Sequence, residues 1–138
     1  MLRIAVAGAS GRMGKTLVEA ITGNPDMVLG AASTLASDPF LGQDAAYLCG
    51  LPACKVLLVS DLGDELDAFD TLIDFTSPEA TLEHAELCAS AGKQLIIGTT
   101  GLNEDQKAAL AGFAKRTSIV FAPNMSIGVN LCFKLLEL

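Results

Sequence analysis

The chain has no run of lysine or arginine anywhere in its 138 residues, and 9 basic against 16 acidic side chains leave a net charge of −7. Nucleic acid is therefore not an expected partner, because such binding rests on basic patches. No apolar stretch approaches the roughly 18 uninterrupted residues of a membrane helix, so no membrane contact is expected either. The first residues lack the basic start and small-residue cleavage site of a secretory leader, and the expected location is the cytoplasm. Cys49, Cys54, Cys88 and Cys132 include no C-x-x-C pair, and the single histidine, His84, stands one helical turn before Cys88. That is too few ligands for a structural zinc site, so no metal is expected. The thiols read as free and buried in a reducing compartment, and His84 as a helix-surface residue. Charged residues amount to only 18% against 51% hydrophobic, which describes a compact apolar domain kept in solution by its acidity. Its length allows one domain with one core.

What is present is concentrated at the start. A short apolar run from Arg3 stops at Gly8, glycines follow at Gly11 and Gly14, and an apolar-periodic helix begins at once. Strand, glycine turn and helix in that order are what a dinucleotide phosphate site requires. Gly8 permits the tight turn, the missing Cβ of Gly11 lets backbone approach a pyrophosphate, and Gly14 lets the helix pack closely on the strand. The helix N-terminus offers N–H groups and a positive dipole end. The spacing is G-x-x-G-x-x-G, because Ser10 stands where the tighter pattern has glycine. Packing alone is the competing account of these glycines.

Beyond the turn, strands and helices alternate. The spacing predicts a helix over Lys15–Ile21, ended by Thr22-Gly23-Asn24-Pro25, and a strand over Met27–Ala32. Ser33–Leu51 is irregular, with a short helix around Gln43–Leu48. A strand over Val56–Val59 precedes a short helix that Ser60-Asp61 would cap, and Phe69–Phe75 forms the next strand. Ser77 and Pro78 then start a helix that Gly92 ends. Gln94–Ile97 is a buried strand. Asn103 with Gln106 resembles a capping box, and Lys115-Arg116 suits the end of that helix. A strand over Ser118–Phe121 and an apolar helix from about Ile127 complete the pattern. Such alternation means an α/β fold, a doubly wound parallel sheet covered on both faces. Ligands then lie beyond the C-terminal strand ends, where small and polar clusters do occur: Gly8–Gly14, Ser33-Thr34, Phe75–Ser77, Gly98–Gly101 and Ala122–Asn124.

Taken together, the segments Val6–Gly14, Ile73-Asp74-Phe75-Thr76, Ile97-Gly98-Thr99-Thr100-Gly101 and Phe121–Asn130 resemble the dihydrodipicolinate reductase family over essentially the whole chain. The G-T-T-G and A-P-N-M-S-I-G-V-N segments are far more specific than the glycine turn. The resemblance implies a Rossmann-like dinucleotide-binding domain using NADH or NADPH, in an oxidoreductase that reduces a cyclic intermediate of diaminopimelate and lysine biosynthesis. It implies that Gly8, Ala9, Ser10, Gly11, Arg12 and Met13 hold the pyrophosphate. Phe75 and Thr76 would stand near the dinucleotide, with Gly98, Thr99 and Thr100 on the nicotinamide side. Ala122, Pro123, Asn124 and Met125 would form a hinge strand beside the ring.

Two departures from the family matter. Its ribose-binding acid, sometimes followed by arginine, is replaced by Thr34 and Leu35. By this reading no carboxylate repels a 2′-phosphate and no neighbouring arginine attracts one. Arg12 remains the cation within reach, and the lean is toward NADPH or dual use. Second, nothing matches the family's substrate domain, with its His-His motif and lysine. The expectation is a cofactor domain over residues 1–138 whose hinge begins near residue 124, with no catalytic residue of its own. Small-molecule substrate and homotetramer would then belong to the longer enzyme. The alternatives are a stand-alone dinucleotide-binding regulatory module, or the first domain of another dehydrogenase such as an aspartate or homoserine type.

Overall fold

Alternation along the first strand, β1 (Leu2–Ala7), sorts the core into two layers. Ile4 and Val6 enter one apolar cluster, Ala5 and Ala7 the other, as the two-residue period of a strand requires. The computed structural model describes residues 1–137. Its remaining strands are β2 (Met27–Ser33), β3 (Leu58–Val59), β4 (Thr71–Asp74), β5 (Gln94–Ile97) and β6 (Ile119–Phe121). Its helices are α1 (Arg12–Thr22), α2 (Pro78–Ala91), α3 (Glu104–Phe113) and α4 (Ile127–Leu136).

The six strands form one parallel sheet in the order β3-β2-β1-β4-β5-β6. The chain runs outward from β1 to one edge, returns to β4 beside β1, and runs outward to the other edge. This is the doubly wound order, and it opens a crevice where the strand sequence reverses, between the C-terminal ends of β1 and β4. Val18 and Ile21 of α1 pack with Ile4, Val6, Leu29 and Leu58 on one face. Ala85 and Cys88 of α2 and Leu110 of α3 pack with Phe69, Leu72 and Leu95 on the opposite face. Both faces are thus covered, as an all-parallel sheet demands.

Gly30 makes one of these layers possible. The β1–β2 register skips from Ile4↔Leu29 to Ala5↔Ala31, leaving Gly30 as an extra residue. A Cβ there would lie 2.0 Å from the carbonyl oxygen of Ala68, so only glycine admits the backbone leading into the buried Phe69.

Local expectations were corrected at several boundaries. The first helix begins at Arg12, three residues before Lys15, because Gly11 occupies the N-cap in extended geometry (φ −71°, ψ 168°). The short helix in the irregular stretch is a 3-10 segment, Ala45–Cys49, capped by Asp44. The third strand keeps only Leu58–Val59, since Leu57 bridges antiparallel to Asp44 instead. Lys115 and Arg116 follow the last residue of α3, Phe113, rather than ending the helix. No residue of α4 is buried, and Ile127, Leu131, Phe133, Leu135 and Leu136 are all exposed. Among the described residues no helix is long and apolar enough to cross a membrane.

Candidate functional site

The crevice begins at the glycine turn. Gly8 has φ +67°, the left-handed region that glycine enters without a Cβ penalty, and a Cβ there would also meet the Thr76 methyl at 2.9 Å. Gly14 lies against the turn so tightly that a Cβ would fall 2.2 Å from the Gly8 carbonyl oxygen. Its role is therefore packing. Gly11 differs: its Cβ would stand 3.2 Å from the same oxygen, a contact relieved by a few tenths of an ångström, and the residue is exposed. The Ala9 N–H bonds the Ser33 carbonyl at 2.8 Å and the Gly11 N–H bonds that of Gly8 at 3.0 Å, which fixes the loop over the end of β2.

Helix α1 carries no side-chain cap and no acidic residue in its first turn. By contrast Ser77 caps α2, Asn103 and Gln106 form a complete capping box on α3, and Ser126 caps α4. The first N–H groups of a helix have no intrahelical acceptor. At α1 they face the crevice with the positive dipole end, an arrangement suited to a phosphate. Arg12 and Met13 are exposed there, while Ala9 is buried.

Beside this turn Thr34 meets Val59, Ser10 and Asp38. The Thr34 N–H bonds the Val59 carbonyl at 2.8 Å, and its hydroxyl lies 2.7 Å from that of Ser10. A carboxylate stands there after all. Asp38 Oδ2 accepts from Ser10 at 2.5 Å and from Thr34 at 2.6 Å, while Oδ1 accepts the Phe40 N–H at 2.8 Å. The hydrogen bonds from Ser10, then Thr34, then Phe40 hold the Asp38 carboxyl below the usual range. Asp38 lies in the turn that follows the strand, where its N–H bonds the Leu35 carbonyl at 2.9 Å.

Across the crevice, the ends of β4 and β5 share a buried polar network. Asp74 is fully buried; its Oδ1 accepts the Thr76 N–H at 2.9 Å and hydroxyl at 2.6 Å. Thr99 Oγ1 accepts the Thr76 N–H at 3.1 Å and the Thr81 hydroxyl at 2.8 Å. Asp74 Oδ2 meets His84 Nδ1 at 2.8 Å, with the His84 side chain only 19% exposed. His84 is thus turned inward, contrary to its reading as a surface residue, because α2 packs its flank onto the end of β4. Burial pushes the Asp74 carboxyl up, but the hydrogen bonds from His84 and Thr76 outweigh it and hold the group below the ordinary carboxylate range. Phe75 lies on Gly98, where a Cβ would fall 2.0 Å from the ring. Thr100 is exposed.

The sequence-predicted residues therefore assemble in pairs: Ser10 with Thr34, Gly8 with Thr76, Phe75 with Gly98, Thr76 with Thr99. Ala122 is tied to β5 by its N–H on the Ile97 carbonyl at 3.2 Å. Pro123, Asn124 and Met125 are exposed beyond β6, with the Asn124 carboxamide accepting the Ser126 N–H at 2.8 Å. Thr34 and this last group are separated by four strand spacings, roughly 19 Å, and do not meet. Asp38, Asp74 and His84 were missed as partners. Asp38 lay in the irregular stretch, where Ser37-Asp38-Pro39 is a turn signal, and Asp74 is the lone charge ending an apolar strand.

The family model described as dihydrodipicolinate reductase, N-terminus, matches residues 2–125. The chain is 53% identical over 138 residues to the 4-hydroxy-tetrahydrodipicolinate reductase of Hahella chejuensis, covering 100% of itself and 52% of that protein. Against the reductase of the same name from Herminiimonas arsenicoxydans it is 53% identical over 137 residues, covering 99% and 51%. The chain spans about half the length of the curated relatives it matches. Among solved structures, dipicolinate-bound dihydrodipicolinate reductase from Paenisporosarcina sp. TG-14 is similar with a TM-score of 0.72 at 28% identity, over 98% of this chain and 52% of that one. A Thermus thermophilus dehydrogenase, solved with NAD and α-ketoglutarate, shares the fold with a TM-score of 0.69 at 15% identity, over 99% of this chain and 47% of that one.

Proposed function

The chain belongs to the dihydrodipicolinate reductase family, whose N-terminal domain it carries, and from that premise we propose that it binds NADH or NADPH as the cofactor half of a reductase. The observation that carries this reading is the uncapped start of α1, aimed with Gly8 and Gly11 into the crevice between β1 and β4.

In this reading Gly8 through Met13 form the pyrophosphate cradle, the Ala9 and Gly11 N–H groups fixing the loop and the free N–H groups at the start of α1 meeting the phosphates. Ser10 and Thr34 stand at the adenosine ribose, and Phe75, Thr76, Gly98, Thr99 and Thr100 line the nicotinamide side. The Thr76 hydroxyl donates to Asp74, and the Thr99 hydroxyl accepts from the Thr81 hydroxyl and the Thr76 N–H. Those residues act through backbone and shape, with Phe75 and Gly98 setting the floor. Ala122 through Met125 flank the ring and lead from residue 124 into the hinge. When bound, the dinucleotide supplies a hydride from its nicotinamide ring. The substrate is 4-hydroxy-tetrahydrodipicolinate, reduced to tetrahydrodipicolinate for diaminopimelate and lysine, and the proton donor belongs to the other half of the enzyme. The whole enzyme is a cytoplasmic homotetramer by the same resemblance.

Calorimetric titration of the 138-residue chain with NADH and NADPH tests this reading. Weak saturable binding, with no steady-state reduction of substrate by this chain alone, is the expected result. A folded chain that binds neither dinucleotide overturns the cofactor assignment, and turnover by this chain alone overturns the placement of the proton donor.

A further inference from the structure

At the ends of β1 and β2, three close oxygen contacts have only two hydroxyl protons to fill them. Ser10 Oγ and Thr34 Oγ1 lie 2.7 Å apart, and both lie within hydrogen-bond reach of Asp38 Oδ2, at 2.5 and 2.6 Å. Each hydroxyl carries one donor and an ionised carboxylate carries none, so the triangle is one donor short. The other carboxylate oxygen accepts a single backbone N–H, from Phe40, and keeps an open lone-pair direction. Asp38 and Ser10 are both half-buried, and the cluster adjoins Gly11 at the start of α1. Such a cluster is completed by a ligand that brings an O–H. It is opposed by one that brings only acceptor oxygens and negative charge.

We propose that Asp38, positioned by Ser10 and Thr34, reads the 2′ position of the bound dinucleotide, accepting the ribose hydroxyl of NADH and repelling the 2′-phosphate of NADPH. The inference rests on the dinucleotide reading above and reverses the NADPH lean drawn from Thr34 and Leu35. The Lys15 ammonium stands over the Phe40 ring at 5.7 Å from its centre, and its charge acts on Asp38. Arg12 is exposed on the first turn of α1. Neither cation makes a hydrogen bond to the Ser10–Thr34–Asp38 triangle, so the carboxylate keeps its accepting role.

Equilibrium titration of the 138-residue chain with NADH and NADPH, at fixed salt, measures the ratio of the two dissociation constants. The wild type is expected to bind NADH roughly tenfold or more tightly than NADPH, the scale of one like-charge contact in a partly solvated site. Asp38→Asn keeps the shape and supplies the missing donor through its amide, so it should lower the ratio roughly tenfold, mainly by improving NADPH. Asp38→Ser is the second variant, with folding of each checked by circular dichroism. A ratio unchanged in either folded variant, or a wild type that prefers NADPH, overturns the assignment of Asp38 while leaving dinucleotide binding intact. A folded wild type that binds neither dinucleotide removes both this inference and the reading beneath it.

Discussion

On the β1–β2 flank of the crevice, α1 starts at Gly11 without a side-chain cap and without an acid in its first turn. On the β4 flank, α2 starts under Ser77, with Pro78 and Glu79 behind it. Two helices at the same end of one sheet therefore present opposite chemistry to solvent. The first leaves donors and a positive dipole end for an anion; the second meets one donor with the Ser77 hydroxyl and sets the Glu79 carboxylate in its first turn. The carboxylates of the two flanks differ in the same sense. Asp38 is half-buried and lacks a cationic partner within hydrogen-bond distance, whereas Asp74 is fully buried and meets His84, Thr76 and Thr99. One flank keeps its polar groups open to a ligand. The other spends Asp74, Thr76 and Thr99 on holding two loops in place, so these residues offer a ligand their backbone rather than their polar side chains.

The largest expected effect breaks the closed flank. Asp74→Ala leaves the His84 ring and the Thr76 hydroxyl without their acceptor in a largely buried site. It should cost about 2–6 kcal/mol of stability, at about 1–3 kcal/mol for each buried group left unsatisfied. Urea denaturation measures it, and a loss below about 1 kcal/mol would place Asp74 with Asp38 as a weakly coupled group. The same network sets an acid limit. A carboxyl held below its unfolded value of about 3.9 stabilises fully above that pH, and the contribution is lost as pH falls through the depressed folded value. Denaturation midpoints should therefore fall below about pH 4 in the wild type and fall less steeply in Asp74→Asn.

The next effect sharpens the contrast on the open flank. Gly11→Val should weaken dinucleotide binding strongly while the domain stays folded, because the added Cβ meets only the Gly8 carbonyl, at 3.2 Å. Each charge-assisted bond lost to a phosphate is worth about 1.5–3 kcal/mol, so an affinity loss of roughly a hundredfold is expected by titration. Unchanged affinity in a folded variant would reduce Gly11 to a packing residue like Gly14.

The smallest effect concerns Arg12, exposed on the first turn of α1. If Asp38 reads the 2′ position, Arg12→Ala should weaken NADH and NADPH alike, by roughly two- to fivefold, as expected for an exposed charge near a phosphate. A loss confined to NADPH would return the 2′ reading to Arg12 and erase the difference between the two sides of the glycine turn.

Read as sequence, the chain by itself determined whatever depends on neighbours three or four residues apart. Ser77 and Pro78 start α2, Gly92 in the left-handed region ends it, and Asn103 with Gln106 caps α3, since each of these bonds closes within one turn of chain. The glycine turn after β1 was legible for the same reason, as was the alternation that makes a parallel sheet. Tertiary structure decided the contacts between residues that look alike until a partner is fixed. A lone histidine on a helix reads as a surface residue until β4 brings Asp74 to 2.8 Å. An aspartate in an irregular loop reads as solvated until the loop folds back onto Ser10, 28 positions away. Gly30 is one more residue of a strand until the Ala68 carbonyl comes down on it. The physical reason is common to all three: hydrogen-bond capacity and the lack of a Cβ are properties of one residue, while their use requires a second group that only the packed sheet delivers.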